Sequence, residues 1–229
     1  YRDYLCYQTY DVTTYLCDGE NILGMHVGDG WYHGFMTKAE DDTYDPAFAI
    51  LLQLEVTYTD GTTGCFGTDE TVKVKEGPVR CADLYAGERY DANFIPYGWD
   101  KPDFDDRDWA DSIVADFTYE TLKAQYGQPV RPVRILPVRE ILTSPKEERI
   151  IDFGQVIAGR VRIKIDVPKG TQITITHTEG LDAEGNFFDN NPTADQRIEY
   201  ISDGIARTYE PHFTFQGFRY AMVDGIEEL

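Results

Sequence analysis

The chain has 229 residues, enough for one large domain or two of ordinary size, and 41% of them are apolar. It carries 21 Lys and Arg against 41 Asp and Glu, a formal charge of −20. A surface of that sign repels phosphate backbones and anionic headgroups, which argues against nucleic acid and membrane as partners.

Residues 4–10 read as a strand of aromatics and thiols, and 11–16 as one helical turn capped by Asp11 or Thr13. A turn at Asp18-Gly19-Glu20-Asn21 leads into a strand over 22–27. Gly28-Asp29-Gly30-Trp31-Tyr32-His33-Gly34 follows as a loop, and the acidic stretch 40–46 as another. Over 47–59, Leu52, Leu54, Val56 and Tyr58 alternate with Gln53, Glu55, Thr57 and Thr59, the period of a half-buried strand. Asp60-Gly61 is a hairpin signal, with the return over 64–67. A short strand over 71–75 follows, then a segment over 85–94 that carries Glu88, Tyr90 and Asp91. Residues 102–109 form a charged loop with one Trp.

Three prolines and a glycine lie between 126 and 137, a stiff extended connector. The boundary is placed there, giving domains 1–128 and 129–229. In the second domain, 150–154 is a short strand and 160–167 alternates polar and apolar throughout. Pro168-Lys169-Gly170 turns the chain, after which Ile173, Ile175 and His177 share one strand face. A turn at 182–186 and strands over 197–202 and 213–223 complete it. With 16 Tyr, 12 Phe and many β-branched residues, the expected class is all-β: two β-sandwiches, jelly-roll-like, in tandem.

Cys6, Cys17, Cys65 and Cys81 form no C-x-x-C pair, and three lie in strand-like segments. Buried free thiols in a reducing, cytoplasmic setting are expected over a disulfide framework. No leader peptide is visible in a sequence that begins at Tyr1, and no apolar run has membrane-spanning length.

No nucleophile elbow, phosphate-binding glycine loop or zinc spacing occurs around His26, His33, His177 and His212. The Asp103–Asp108 cluster suits a hard cation in donor type, but lacks the Gly and Glu of a calcium loop. Turn capping with Phe104 and Trp109 as anchors is the competing reading. Paired carboxylates could hydrolyse a glycoside, yet among 41 acids the sequence singles out no pair, so no catalytic residue is assigned.

A sugar offers an apolar face and a ring of hydroxyls, which aromatic and polar side chains on loops can match. Asp29, Trp31, Tyr32 and His33 in the first glycine-framed loop fit that need, as do Glu88 and Tyr90. The rival reading of Trp31 is packing, with its indole turned inward.

The order of several motifs resembles the bacterial α-L-rhamnosidases of glycoside hydrolase family 78. Tyr7-Gln8-Thr9-Tyr10-Asp11-Val12-Thr13, Gly28-Asp29-Gly30-Trp31-Tyr32, Gly67-Thr68-Asp69-Glu70 and Asp83-Leu84-Tyr85-Ala86-Gly87-Glu88 resemble the accessory β-domain of these enzymes. Asp152-Phe153-Gly154-Gln155, His177-Thr178-Glu179 and Phe213-Thr214-Phe215-Gln216-Gly217-Phe218-Arg219-Tyr220 resemble the β-sandwich that follows it.

The resemblance implies a galactose-binding-like jelly roll, entered after its opening strands, and a second sandwich. It also implies a catalytic α/α-barrel elsewhere in the protein, inverting hydrolysis of terminal L-rhamnose, and L-rhamnose-containing glycans as ligand. No cofactor is required. Calcium is the one cation considered, with Asp3, Asp41, Asp42 and Asp45 as its candidate ligands in place of the Asp-Asn pair of some relatives. The competing classes are a purely structural module that stabilises the barrel or a homodimer, and an independent hydrolase using Glu88, Asp91 or Glu179.

Overall fold

A computed structural model describes residues 3–34, 47–190, 194–195 and 197–226. Its first strands are β1 (Leu5–Tyr7), β2 (Gln53–Thr57), β3 (Thr63–Gly67), β4 (Lys73–Val74), β5 (Val79–Asp83), β6 (Gly87–Asp91), β7 (Ala110–Asp111) and β8 (Leu122–Ala124). These are followed by β9 (Glu140–Thr143), β10 (Arg149–Gly159), β11 (Ile163–Ile165) and β12 (Gln172–Thr178). The last three are β13 (Arg197–Ile201), β14 (Arg207–Tyr209) and β15 (Gln216–Asp224). Among the described residues there is one α-helical turn, α1 (Gly30–His33), and three single turns are 3-10. The class is all-β. No helix among the described residues is long and apolar enough to cross a membrane.

The chain divides into two compact units, each drawn from separated stretches of sequence. The first comprises residues up to His26, Ala47–Glu76 and Pro96–Pro129. Its ladders are all two-stranded: β1 runs parallel to β8, β2 antiparallel to β3, and β4 antiparallel to β7. The hairpin turns at Asp60-Gly61 with Gly61 at φ +85°, a backbone angle that favours glycine. Leu54 faces Phe66 across it. None of the described residues of this unit is buried, because a two-stranded ladder has no second layer to close upon.

Local polar contacts organise its turns instead. Asp60 Oδ1 accepts from the Thr62 N–H and hydroxyl at 2.9 and 2.7 Å, and Asp69 Oδ1 does the same for Thr71 at 2.8 and 2.6 Å. Asp11 accepts from Thr13 N–H at 3.0 Å, but the N-cap of the turn Thr13–Tyr15 is Val12, so neither Asp11 nor Thr13 caps it as expected. These hydrogen bonds lower the pKa of all three carboxyls.

The second unit holds a seven-stranded sheet in the order β5-β6-β13-β12-β15-β10-β9. β6 runs parallel to β13, with Tyr90 beside Tyr200, and the other neighbours are antiparallel. Ile173 and Ile175 are buried on one face of β12 with His177, as the alternation requires. They join Ile198, Tyr200, Phe218, Ala221 and Val223 in one core, to which Ile165 of β11 and Tyr209 of β14 also belong. The antiparallel β11–β14 ladder supplies the second layer.

Several expected elements differ. Residues 22–27 form no strand, and the following loop contains α1. The strand expected over 160–167 shortens to β11, since Arg160 turns to the carbonyls of Pro211 and His212 and pairs with Glu210. All four cysteines are free, but Cys6, Cys17 and Cys65 are exposed and Cys81 is half-buried. The three exposed thiols belong to the unit that has no closed core.

The expected short strand at 150–154 is instead the beginning of β10. Its register with β15 shifts between Asp152 and Ile157, so the strand bulges there. Asp152, 2% exposed, fixes the bulge by accepting from Gly154 N–H at 2.6 Å and from Arg219 Nε and Nη2 at 2.9 and 2.8 Å. The Arg219 hydrogen bonds lead the causes that hold its pKa below the ordinary 3.8.

A depressed folded-state pKa contributes stability above the unfolded value, and that contribution drains as pH falls through the folded one. Asp152→Asn should cost about 2 kcal/mol at neutral pH. In urea titrations, the gap between wild type and variant should narrow as pH drops below the ordinary aspartate range.

Candidate functional site

Glu88 lies on β6 and is fully buried. Its Oε1 accepts from the Tyr209 hydroxyl at 2.8 Å, and its Oε2 from the backbone N–H groups of His212 and Phe213 at 2.9 and 3.1 Å. Burial leads the causes that raise the Tyr209 pKa, followed by the Glu88 charge. Tyr90, two residues on, stacks on Tyr200 with centroids 5.5 Å apart and tilts against Tyr209 at 5.1 Å. The sequence offers both residues as sugar contacts; the fold buries Glu88 and packs the half-buried Tyr90 against the core.

Asp91 lies three residues beyond Glu88 and so on the opposite face of the strand; it caps the next turn by accepting from Asn93 N–H. Glu179 is exposed, with Oε1 beside the Gly217 backbone. Glu88 and Asp91 are thus committed to hydrogen bonds within the fold.

The glycine-framed segment is built against the β5 edge of the sheet. A Cβ on Gly28 would sit 2.6 Å from the Phe213 ring, and one on Gly34 would meet Asp83 at 2.7 Å, so both glycines permit close approach. Asp29 Oδ2 accepts from Ala82 N–H at 2.6 Å, giving an edge-strand donor its partner. Its Oδ1 lies 2.7 Å from His33 Nδ1, one helical turn away. Cys81 is adjacent, its thiol pKa raised by burial first and by the Asp29 charge second.

Trp31 remains 39% exposed and meets Tyr85 edge-on with centroids 5.6 Å apart. Tyr32 and His33 are half-buried. The structure therefore brings Asp29, Trp31, Tyr32 and His33 together, buries Glu88 and packs the half-buried Tyr90 against the core.

Among the metal candidates, Asp3 is exposed, and Asp41, Asp42 and Asp45 lie outside the described residues. No group of three or more potential ligands gathers among the described residues. In the 103–108 loop, Asp105 pairs with Arg107, Asp108 with Lys75, and Phe104 packs edge-on to Trp109 at 5.6 Å, the anchored-loop arrangement.

Sequence reasoning missed a second polar clasp. Asp182 accepts from the backbone N–H groups of Glu184 and Asn186 at 3.0 and 2.7 Å, and Asn186 Oδ1 accepts from Lys146 N–H at 3.1 Å. Glu148 Oε2 accepts from Phe187 N–H at 2.9 Å and the Ser144 hydroxyl at 2.7 Å. The Asp-x-x-x-Asn turn was legible, but its docking to residues 144–148 joins sites about forty positions apart.

These motifs have counterparts in known proteins. Residues 1–134 match the model of the alpha-L-rhamnosidase N-terminal domain, and 142–229 that of the bacterial alpha-L-rhamnosidase concanavalin-like domain. The chain belongs to the bacterial α-L-rhamnosidase family. An α-L-rhamnosidase of Alteromonas sp. (strain LOR) is 38% identical over 96% of this chain and 24% of its own length. One from Streptomyces avermitilis is 38% identical over 99% and 22%.

Among solved structures, the native enzyme from Aspergillus terreus superposes with a TM-score of 0.78 at 31% identity, over 87% of this chain and 23% of that one. The Streptomyces avermitilis enzyme complexed with L-rhamnose gives 0.72 at 38%, over 76% and 17%. The chain thus spans about a quarter of the length of the curated relatives it matches.

Two substitutions test these roles. Glu88→Ala leaves a buried hydroxyl and two part-buried N–H groups without this acceptor and should cost roughly 3 kcal/mol in urea unfolding. Asp29→Ala should cost about 1–2 kcal/mol and speed amide exchange at Ala82 selectively.

Proposed function

We propose that this chain is a non-catalytic β portion of an α-L-rhamnosidase-type glycoside hydrolase, supporting and orienting a catalytic α/α-barrel that removes terminal L-rhamnose. The supporting observation is how its acids are used. Glu88, with no exposed surface, is spent on three internal hydrogen bonds, and Asp29 holds a sheet edge. Glycoside hydrolysis needs two carboxyl groups flanking a space large enough for a sugar ring. The chain alone should therefore not hydrolyse an aryl α-L-rhamnoside, whereas the full-length polypeptide should. Turnover by the isolated chain, lost on Glu179→Gln, overturns the reading.

A second reading, carbohydrate contact, is favoured by one feature. Trp31, edge-on to Tyr85 and 39% exposed, makes an aromatic shelf beside Tyr32 and His33, with Asp29 orienting the imidazole. A pyranose ring would lie on the indole while His33 meets a hydroxyl. Calorimetric titration with L-rhamnose should give saturable heat that weakens at least about tenfold on Trp31→Ala. Loss of that heat on chelation, and on Asp3→Ala or Asp45→Ala, would add calcium to the site. No heat with or without calcium leaves the supporting role alone.

A further inference from the structure

Residues 130–139, Val-Arg-Pro-Val-Arg-Ile-Leu-Pro-Val-Arg, contain three arginines, two prolines and no acid, in a chain where acids outnumber bases 41 to 21. The segment joins no ladder until β9. Val130 is 95% exposed, Val133 94%, Ile135 72% and Val138 49%. Aliphatic side chains left this open are poorly placed in water, and here four of them fall within nine residues.

The segment is nonetheless held at points along its length. Arg134 Nη2 donates to Gln155 Oε1 on the β10 bulge at 3.2 Å, and Arg139 N–H to the Asp152 carbonyl at 2.9 Å. Val156 of the same bulge and Ile141 on the edge strand β9 are also about half exposed.

This is the chemistry of a docking ribbon. Prolines set an extended backbone before contact, so less order is lost on binding. Extended proline-containing segments seat in aromatic-lined grooves, and arginines pair with carboxylates at their margins. A nucleic acid duplex or an anionic membrane is wide enough to meet the rest of a chain of net charge −20, whereas a groove meets only the ribbon and its three arginines. The matched relatives are about four times as long as this chain, so most of such a polypeptide lies outside it and acts at high effective concentration.

We propose that residues 130–139 dock into an acidic, aromatic-lined groove on the part of the same polypeptide that lies outside residues 1–229. The proposal rests on the supporting role above and names where that support is applied.

Limited trypsin digestion tests it. Arg131 precedes Pro132 and resists cleavage, so the Arg134–Ile135 bond is the reporter. In the isolated chain the bond should be cut readily, and in the full-length polypeptide at least about tenfold more slowly. Val130→Asp with Val133→Asp should restore rapid cutting in the full-length polypeptide, yet leave the thermal unfolding of the isolated chain unchanged, since both side chains are exposed there.

Equal cutting in the two contexts overturns the proposal, as does protection that survives the double substitution. If either occurs while removal of residues 1–229 still destabilises the full-length polypeptide, the ribbon fails and the supporting role stands. If that removal has no effect, both fail.

Discussion

A single buried carboxylate ties together parts of the second unit that lie more than a hundred residues apart in sequence. Glu88, on β6, takes hydrogen bonds from Tyr209 and from the backbone that leads out of β14 towards β15. An acid in a dry interior must find donors or be neutralised, and here three donors converge on it. The parallel pairing of β6 with β13, the Tyr90-Tyr200-Tyr209 cluster and the course of residues 210–213 are all built around that carboxylate. Sequence-defined and space-defined units consequently differ. Residues 77–95 fall within the N-terminal family match, yet β5 and β6 extend the sheet whose other strands come after residue 139.

The large acidic excess has a similarly architectural use. Asp11, Asp60, Asp69, Asp182 and Asp152 each accept from backbone N–H groups two or four residues ahead. A short carboxylate can satisfy such donors where the chain leaves a ladder, because its oxygens reach back to its own backbone. Part of the acidic excess is thereby engaged in turns. In the 103–108 loop, Asp105 and Asp108 are instead paired to Arg107 and Lys75.

The glycine-framed segment combines both themes. Its glycines allow contact with Phe213 and Asp83, its Asp29 closes an exposed sheet edge, and its Trp31 stays at the surface. Packing and presentation are compatible there, since the backbone is fixed by the small and acidic residues while the aromatic ring is left over. A rigid edge of that kind can carry a contact surface without spending stability to order it.

Local rules were sufficient for local structure. Period-two alternation determined the faces of β2 and β12, Asp60-Gly61 determined its hairpin, and the order of motifs determined the family, because each depends on neighbours in sequence. The tertiary structure alone decided that Glu88 is interior and Tyr90 packs against the core, that Asp29 serves Ala82 across 53 positions, and that Cys6, Cys17 and Cys65 lie open. Burial depends on which distant segment arrives to cover a residue. An acid, a tyrosine or a thiol reads the same in sequence whether a second layer closes over it or water does.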